Sequence, residues 1–128
     1  MTKLFILLNH DINDLQKQDA DKNGIKDFIP LPSDLRKIWE NLPPDMGKLD
    51  PLLKTIKQWL ADMALPGDYV LIQGDFGACW LMVNFAFDMK LVPVYSTTER
   101  KAVEIQNTNG TTQTVRQFKH VIFRKYGE

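Results

Sequence analysis

Two apolar runs without alternation organise the chain: Lys3 to Asn9 (KLFILLN) and Tyr69 to Gln73 (YVLIQ), the second entered through Pro66-Gly67-Asp68. Runs of this kind predict strands buried on both faces, as in the interior of a parallel sheet. A third apolar strand is expected over Leu91 to Ser96 (LVPVYS), and a short one over Asp27 to Leu31, where Pro30 places it near an edge. Helical spacing fills the intervals. Asp11 offers an N-cap for a polar helix with Ile12 and Leu15 inward, running to Gly24. Ser33 offers a cap for a helix with Leu35, Ile38, Trp39 and Leu42 on one face, stopped by Pro43-Pro44. Asp50-Pro51 is a start signal for a helix with Leu52, Leu53, Ile56, Trp59, Leu60 and Met63 on one face. Directly after the central strand, Gly74-Asp75-Phe76-Gly77 leads into a helix that is apolar nearly all round, to Met89, with Asn84 and Asp88 as its polar line. Such a helix is expected to be covered on more than one side.

Beyond Ser96 the pattern changes. Lys101 to Gln106 and Thr112 to Tyr126 read as strands around Asn107-Thr108-Asn109-Gly110, and Asn109-Gly110 is a hairpin turn signal. Strand and helix thus alternate about four times before a terminal β-hairpin. This predicts one α/β domain over residues 1–128, a mainly parallel core to about residue 100 with helices on both faces, and a hairpin over about 101–126.

Composition narrows the partners. Sixteen basic and sixteen acidic residues cancel, which argues against a protein that coats long nucleic acids. The charge is uneven: up to Tyr95 there are 10 Lys/Arg against 13 Asp/Glu, a balance of −3, and from Ser96 onward 6 against 3, a balance of +3. A small anionic ligand would favour the C-terminal third. No apolar run approaches the roughly 20 residues of a membrane span, and the apolar start lacks the cleavage site of a signal peptide. The single cysteine, Cys79, excludes a disulfide within the chain and points to a reducing cytoplasm.

Several metal and phosphate motifs are incomplete. Asp19, Asp21, Asn23 and Gly24 match the first half of a calcium loop, but its twelfth position, where a bidentate Glu is needed, is Pro30. A solvated helix end is the plainer expectation for that segment. One Cys and two separated His do not make a transition-metal site, and no P-loop or nucleophile elbow is present. Position offers a better guide: in open parallel sheets, ligands bind beyond the carboxyl ends of the strands near the switch in strand order. Those ends carry Asn9-His10, Gln73-Gly74-Asp75 and Ser96-Thr97-Thr98, with Arg100 and Lys101 following. Hydroxyls, amides, an imidazole and two cations without a metal suit a phosphodiester or nucleotide. Each has a plainer reading as well. Gly74 and Gly77 serve a close turn, His10 a structural hydrogen bond, and Arg100 and Lys101 a solvated face. His120, in an alternating strand, reads as structural.

LFILLNH at the first strand, DYVLIQGDFGA at the centre and, most specifically, VYSTTERKAVE (Val94 to Glu104) together resemble the small CRISPR-associated ring nucleases of type III systems. The resemblance runs along nearly the whole chain, terminal hairpin included. It implies a Rossmann-like CARF fold, and a homodimer that binds cyclic oligoadenylate, most often cyclic tetra-adenylate, across its two-fold axis. It also implies cleavage to linear products that switches off antiviral signalling. The chemistry it implies is metal-free and cofactor-free: a ribose 2′-hydroxyl attacks the adjacent phosphorus and the 5′-oxygen leaves. On that reading His10, Thr98, Arg100 and Lys101 are the catalytic candidates. Asn9, Gln73, Gly74, Asp75, Phe76, Ser96 and Thr97 are the ligand-holding ones. The chain departs from many such proteins in having Asn9-His10 where they place a Ser or Thr after the first strand. The alternatives are a sensor or sequestering module that binds the ring without cutting it, and a generic nucleotide-binding protein.

Overall fold

The computed structural model describes residues 2–128. Nine elements follow in order: β1 (Thr2–Leu7), α1 (Asp14–Lys22), β2 (Ile25–Pro30), α2 (Ser33–Glu40), α3 (Asp50–Met63), β3 (Tyr69–Ile72), α4 (Phe76–Asp88), β4 (Val92–Gln106) and β5 (Thr112–Lys125). They build one five-stranded sheet of order β2-β1-β3-β4-β5. The first three neighbour pairs are parallel and β4–β5 is antiparallel. The chain leaves β1 outward to β2, then crosses back to β3 on the other side of β1. The strand order therefore reverses between β1 and β3, and β2 lies at an edge, as Pro30 suggested.

The unbroken apolar runs are buried on both faces because alternate side chains enter two separate cores. Phe5 and Leu7 of β1 with Val70 and Ile72 of β3 meet the inward faces of α2, α3 and α4. Leu4, Ile6 and Leu8 with Leu71 and Val94 meet Ala20 of α1 on the other face. Helices thus cover both sides of a mainly parallel sheet. Phe5 meets Trp59 of α3 edge-on, with centroids 5.5 Å apart and ring planes at 81°, a favoured geometry for aromatic pairs. Asp68, buried at the entry to β3, accepts the amide N–H of Lys3 at 3.1 Å and of Leu65 at 2.9 Å, tying the starts of β1 and β3 together.

Several local expectations change in the folded chain. The cap of α1 is Asn13, not Asp11: Asn13 Oδ1 accepts the Gln16 amide and Gln16 Oε1 accepts the Asn13 amide, each at 2.9 Å. This reciprocal capping box satisfies two end donors where Asp11 would satisfy one. Leu15 consequently faces outward and Gln16 and Ala20 face in. Ser33 is the first residue of α2, after Pro32, and makes no capping bond. Helix α3 begins at Asp50 itself, after Leu49. Strand β2 begins two residues earlier than expected, at Ile25. The strands expected over Leu91 to Ser96 and Lys101 to Gln106 merge into one 15-residue strand, β4, starting at Val92, because pairing with β5 carries it through the polar middle. The Asn109-Gly110 turn closes the hairpin with Gly110 at φ 84°.

The β4–β5 ladder has one irregularity. Ser96 pairs with Phe123 and Thr98 with His120, so two residues of β5, Val121 and Ile122, stand opposite Thr97 alone. Thr97 Oγ1 holds this bulge, accepting the Ile122 amide at 3.1 Å and donating to the Ile122 carbonyl at 3.0 Å. Strict alternation would place His120 and Phe123 on opposite faces; the extra residue turns both toward α1. Among the described residues no helix is long and apolar enough to cross a membrane.

Candidate functional site

The loops beyond the carboxyl ends of the parallel strands open into two cavities that share no lining residue. The larger, about 470 Å³, lies at the ends of β3 and β4 and is lined by Gln73, Gly74, Phe76, Trp80, Tyr95 and Tyr126, with Cys79 and Val83 at its base. Asp75 positions its rim by capping α4, its carboxylate accepting the Ala78 amide at 3.0 Å. Trp39 fixes the end of β3 from below, donating its indole N–H to the Gln73 carbonyl at 3.0 Å. Gly74 is needed there: its φ is 156°, and a Cβ would lie 3.1 Å from the Trp39 ring nitrogen. Tyr126 donates its hydroxyl to the Ile72 carbonyl at 2.6 Å and packs on Tyr95 at 4.8 Å between centroids. The cavity is aromatic-walled, and Phe76 and Trp80, four residues apart on α4, are 95% and 68% exposed.

Burial favours the protonated forms of Cys79 and Tyr126 in this cavity. The Cys79 thiol is pushed up to about 11, chiefly by burial and then by the nearby Asp75 carboxylate. The Tyr126 hydroxyl is pushed up to about 12, again mainly by burial. A thiol moved from 9.0 to about 11 has roughly 100-fold less thiolate at pH 8. Alkylation of Cys79 by iodoacetamide is therefore expected to be slow at pH 8 and still rising about tenfold per pH unit between 9 and 10. A rate that levels off near pH 9 would contradict this.

The second cavity, about 320 Å³, lies past β1 and β2, and its polar lining is His10, Asp11, Lys17 and Arg36. His10 Nδ1 lies 2.9 Å from the Asp11 carbonyl. A carbonyl only accepts, so Nδ1 carries a hydrogen, and in the neutral ring the lone pair is on Nε2. Arg36 bonds Glu40 at 2.8 Å and Asp11 at 2.9 Å, and these two hydrogen bonds, Glu40 first, raise its pKa further.

The predicted site residues are accordingly dispersed. Gln73, Gly74 and Phe76 line the aromatic cavity, with Asp75 as the helix cap behind it. Asn9 is exposed beside His10, which lines the other cavity. Thr98, Arg100 and Lys101 line neither, because β4 runs on as a hairpin arm instead of folding back over the strand ends. Thr98 is an exposed strand residue, Arg100 lies over the Phe118 ring at 5.1 Å, and Lys101 pairs with Glu99 at 3.9 Å. Thr97 is occupied by the bulge.

Ser96 has the most specific surroundings. Its amide donates to Gln73 Oε1 at 2.9 Å, and its hydroxyl bonds His120 Nδ1. His120 Nε2 lies 2.9 Å from Asp19 Oδ2, which also accepts the Phe123 amide at 2.7 Å. The DADKNG segment is thus no calcium loop in the fold: it forms the last turns of α1 and the turn after it. Asp19 within it is turned inward, with a side chain 14% exposed, instead of being solvated. Sequence reasoning passed over Asp19 and His120 as site residues, and likewise Trp80, Tyr95, Tyr126, Lys17 and Arg36. A signal for the aromatic set existed in the i, i+4 spacing of Phe76 and Trp80; none existed for the Asp19–His120 pair.

Fold and site together define an α/β protein with an open, mainly parallel sheet and ligand-sized cavities at its strand ends. The chain belongs to the family described as the "Uncharacterized protein MJ1673 family", which matches residues 2–124. A protein of Methanocaldococcus jannaschii, described as "Uncharacterized protein MJ1673", is 51% identical over 127 residues, covering 98% of both chains. No solved structure matches the chain.

Proposed function

We propose that this protein is a CARF-like ring nuclease: a homodimer that binds a cyclic oligoadenylate, cyclic tetra-adenylate foremost, and cleaves it to linear products without a metal. That activity would switch off type III CRISPR antiviral signalling. The observation that carries the reading is the pairing of two strand-end cavities with complementary chemistry. One is walled by aromatic rings, on which a planar base stacks. The other is lined by the His10 imidazole with Lys17 and Arg36 as well as Asp11, and cations suit a phosphodiester. The reversal of strand order between β1 and β3 is where an open α/β sheet takes a nucleotide.

A two-fold symmetric ring needs a self-complementary surface on the protein. The unpartnered face of α4, with Phe76, Trp80 and Phe87 exposed, supplies an apolar one beside the aromatic cavity. In the reaction, the ribose 2′-oxygen forms a bond to phosphorus as the phosphorus–5′-oxygen bond breaks, leaving a 2′,3′-cyclic phosphate and a 5′-hydroxyl. His10 Nε2 accepts the 2′-hydroxyl proton, the departing 5′-oxygen takes up a proton from water, and the cations balance the charge of the phosphorane.

Binding without cleavage is the second reading. It is favoured by the aromatic cavity itself, whose Cys79 and Tyr126 stay protonated at neutral pH and offer no base. Incubation of the purified protein with cyclic tetra-adenylate in EDTA, followed by chromatography and mass spectrometry, separates the two. Linear adenylates ending in a 2′,3′-cyclic phosphate are expected. Intact ring recovered from a tight complex would establish the sensor instead, and neither binding nor cleavage of any ring size would end the reading.

A further inference from the structure

We propose that Ser96, His120 and Asp19 form a nucleophilic relay in which the Ser96 hydroxyl attacks the electrophilic centre of an ester. This stands independently of the ring-nuclease reading, which gives His120 and Asp19 no role and Ser96 only a ligand-holding one.

The geometry begins with the carboxylate. Asp19 Oδ2 already accepts the Phe123 amide at 2.7 Å and faces His120 Nε2 at 2.9 Å. A carboxylate oxygen that receives one N–H is the acceptor for the second as well, so Nε2 donates. The hydrogen of the neutral ring is then on Nε2, and Nδ1 presents its lone pair to the Ser96 hydroxyl, to which it is bonded. Ser96 therefore donates to a base whose tautomer is set by a partly buried acid, the arrangement that activates a serine oxygen. The ring faces its two partners through the nitrogens opposite to those used in the chymotrypsin-type triad, which leaves the proton path unchanged.

Three features distinguish this cluster from an incidental surface contact. His120 is 7% exposed, so a ligand meets its imidazole at the Nδ1 edge that it shares with Ser96, which is half-buried. The β5 bulge turns His120 onto the α1 face and is held by Thr97, and bulges that re-aim a side chain are common beside active sites. Ser96 lies two residues beyond Val94, the last residue of β4 paired with β3, which puts it at a carboxyl strand end. Its amide is held by Gln73, a wall of the aromatic cavity.

The step balances simply. The Ser96 oxygen forms a bond to the acyl carbon or phosphorus while its proton passes to His120 Nδ1. The bond to the leaving oxygen breaks, and that oxygen departs with the proton from Nδ1. Water reverses the sequence to release the acid and restore the hydroxyl. Asp19 stabilises the imidazolium between the two transfers.

The test uses the full chain and two probes, a fluorophosphonate for phosphoryl centres and p-nitrophenyl acetate for acyl centres, with the adduct located by peptide mass spectrometry. With the fluorophosphonate, the phosphorus–fluorine bond breaks and fluoride leaves with the serine proton. An adduct on Ser96 in either arm is expected, and the reactive arm identifies the ester class. The adduct is expected to vanish in Ser96→Ala, to form about 10²-fold more slowly or worse in His120→Gln, and to slow at least tenfold in Asp19→Asn, where the ring loses its tautomer partner. The slowing is to be read only in variants whose circular dichroism matches the wild type. Wild-type protein unlabelled at Ser96 by both probes overturns the proposal whatever the variants do. So does a folded His120→Gln that reacts at the wild-type rate, which would leave the cluster as a clasp between α1 and the hairpin.

Discussion

Replacing His10 by alanine is expected to slow cleavage of cyclic tetra-adenylate by about 10²- to 10⁴-fold, the usual worth of a positioned acid–base group. The ring is already oriented: Nδ1 donates to the Asp11 carbonyl at 2.9 Å, and Nε2 is left facing a cavity with Lys17 and Arg36 in its wall. Asp11 serves twice, because its carboxylate also bonds Arg36 at 2.9 Å, so backbone and side chain of one residue align the imidazole and the guanidinium. His10 is exposed, and its loss is expected to leave the melting temperature unchanged. Single-turnover rates with radiolabelled ring, measured beside thermal denaturation, make the distinction. A His10→Ala protein that cleaves at the wild-type rate would move the chemistry away from this cavity. One that loses stability in step with activity would make His10 a structural residue.

Trp39→Ala is expected to destabilise the fold by about 3–5 kcal/mol, the range for a large aromatic removed from a core. The ring is 4% exposed and belongs to the cluster between the sheet and α2 to α4. Its indole N–H is the partner of the Gln73 carbonyl, and its face closes on Gly74. The substitution thus opens a cavity and orphans a carbonyl at the end of the central strand. Trp39→Phe keeps most of the packing and loses only the hydrogen bond, and is expected to cost roughly 1–2 kcal/mol. Denaturant midpoints for the two variants check both figures. A shift below about 1 kcal/mol for Trp39→Ala would mean that this ring does not hold the strand end, and the aromatic cavity would then need another support.

The two substitutions concern opposite ends of one design. Trp39 acts on the β3 end, where aromatic rings gather, and His10 acts past β1, beside Lys17 and the carboxylate-paired Arg36. The switch in strand order lies between them. On the proposed reading, the base of the ring would meet the first end and its phosphodiester the second. The Arg100–Phe118 contact at 5.1 Å belongs to neither end. It lies on the hairpin arm, as Thr98 and Lys101 do, and the positive balance of the C-terminal third is spread along that arm and not focused on the cavities.

Much of the architecture was legible in the chain itself. KLFILLN and YVLIQ had to be interior strands, because each side chain of such a run needs an apolar neighbour whichever face it enters, and the fold supplies a core on each side. Asn109-Gly110 closes the hairpin with the positive φ that Gly110 alone among its neighbours adopts freely. The strand-end rule placed Gln73, Gly74 and Ser96 past the parallel parts of β3 and β4, where the fold has them. These features depend on residue type and short-range spacing, which the chain carries locally.

Tertiary structure decided the rest. Competition between two nearby caps was settled in favour of Asn13, because its bond is returned by Gln16. The outer face of α4 remained open, since the sheet covers only one side of that helix in a single copy of the chain. The separation of His10 from Gln73 follows from the face of the sheet to which each loop turns. The partnership of Asp19 with His120 joins residues 101 positions apart, and it depends on a bulge that shifts one strand by a residue against its neighbour. Alternation along β5 would have turned His120 away from Phe123's face. Only pairing with β4 decides where that alternation breaks, so no pattern read along β5 alone contains it.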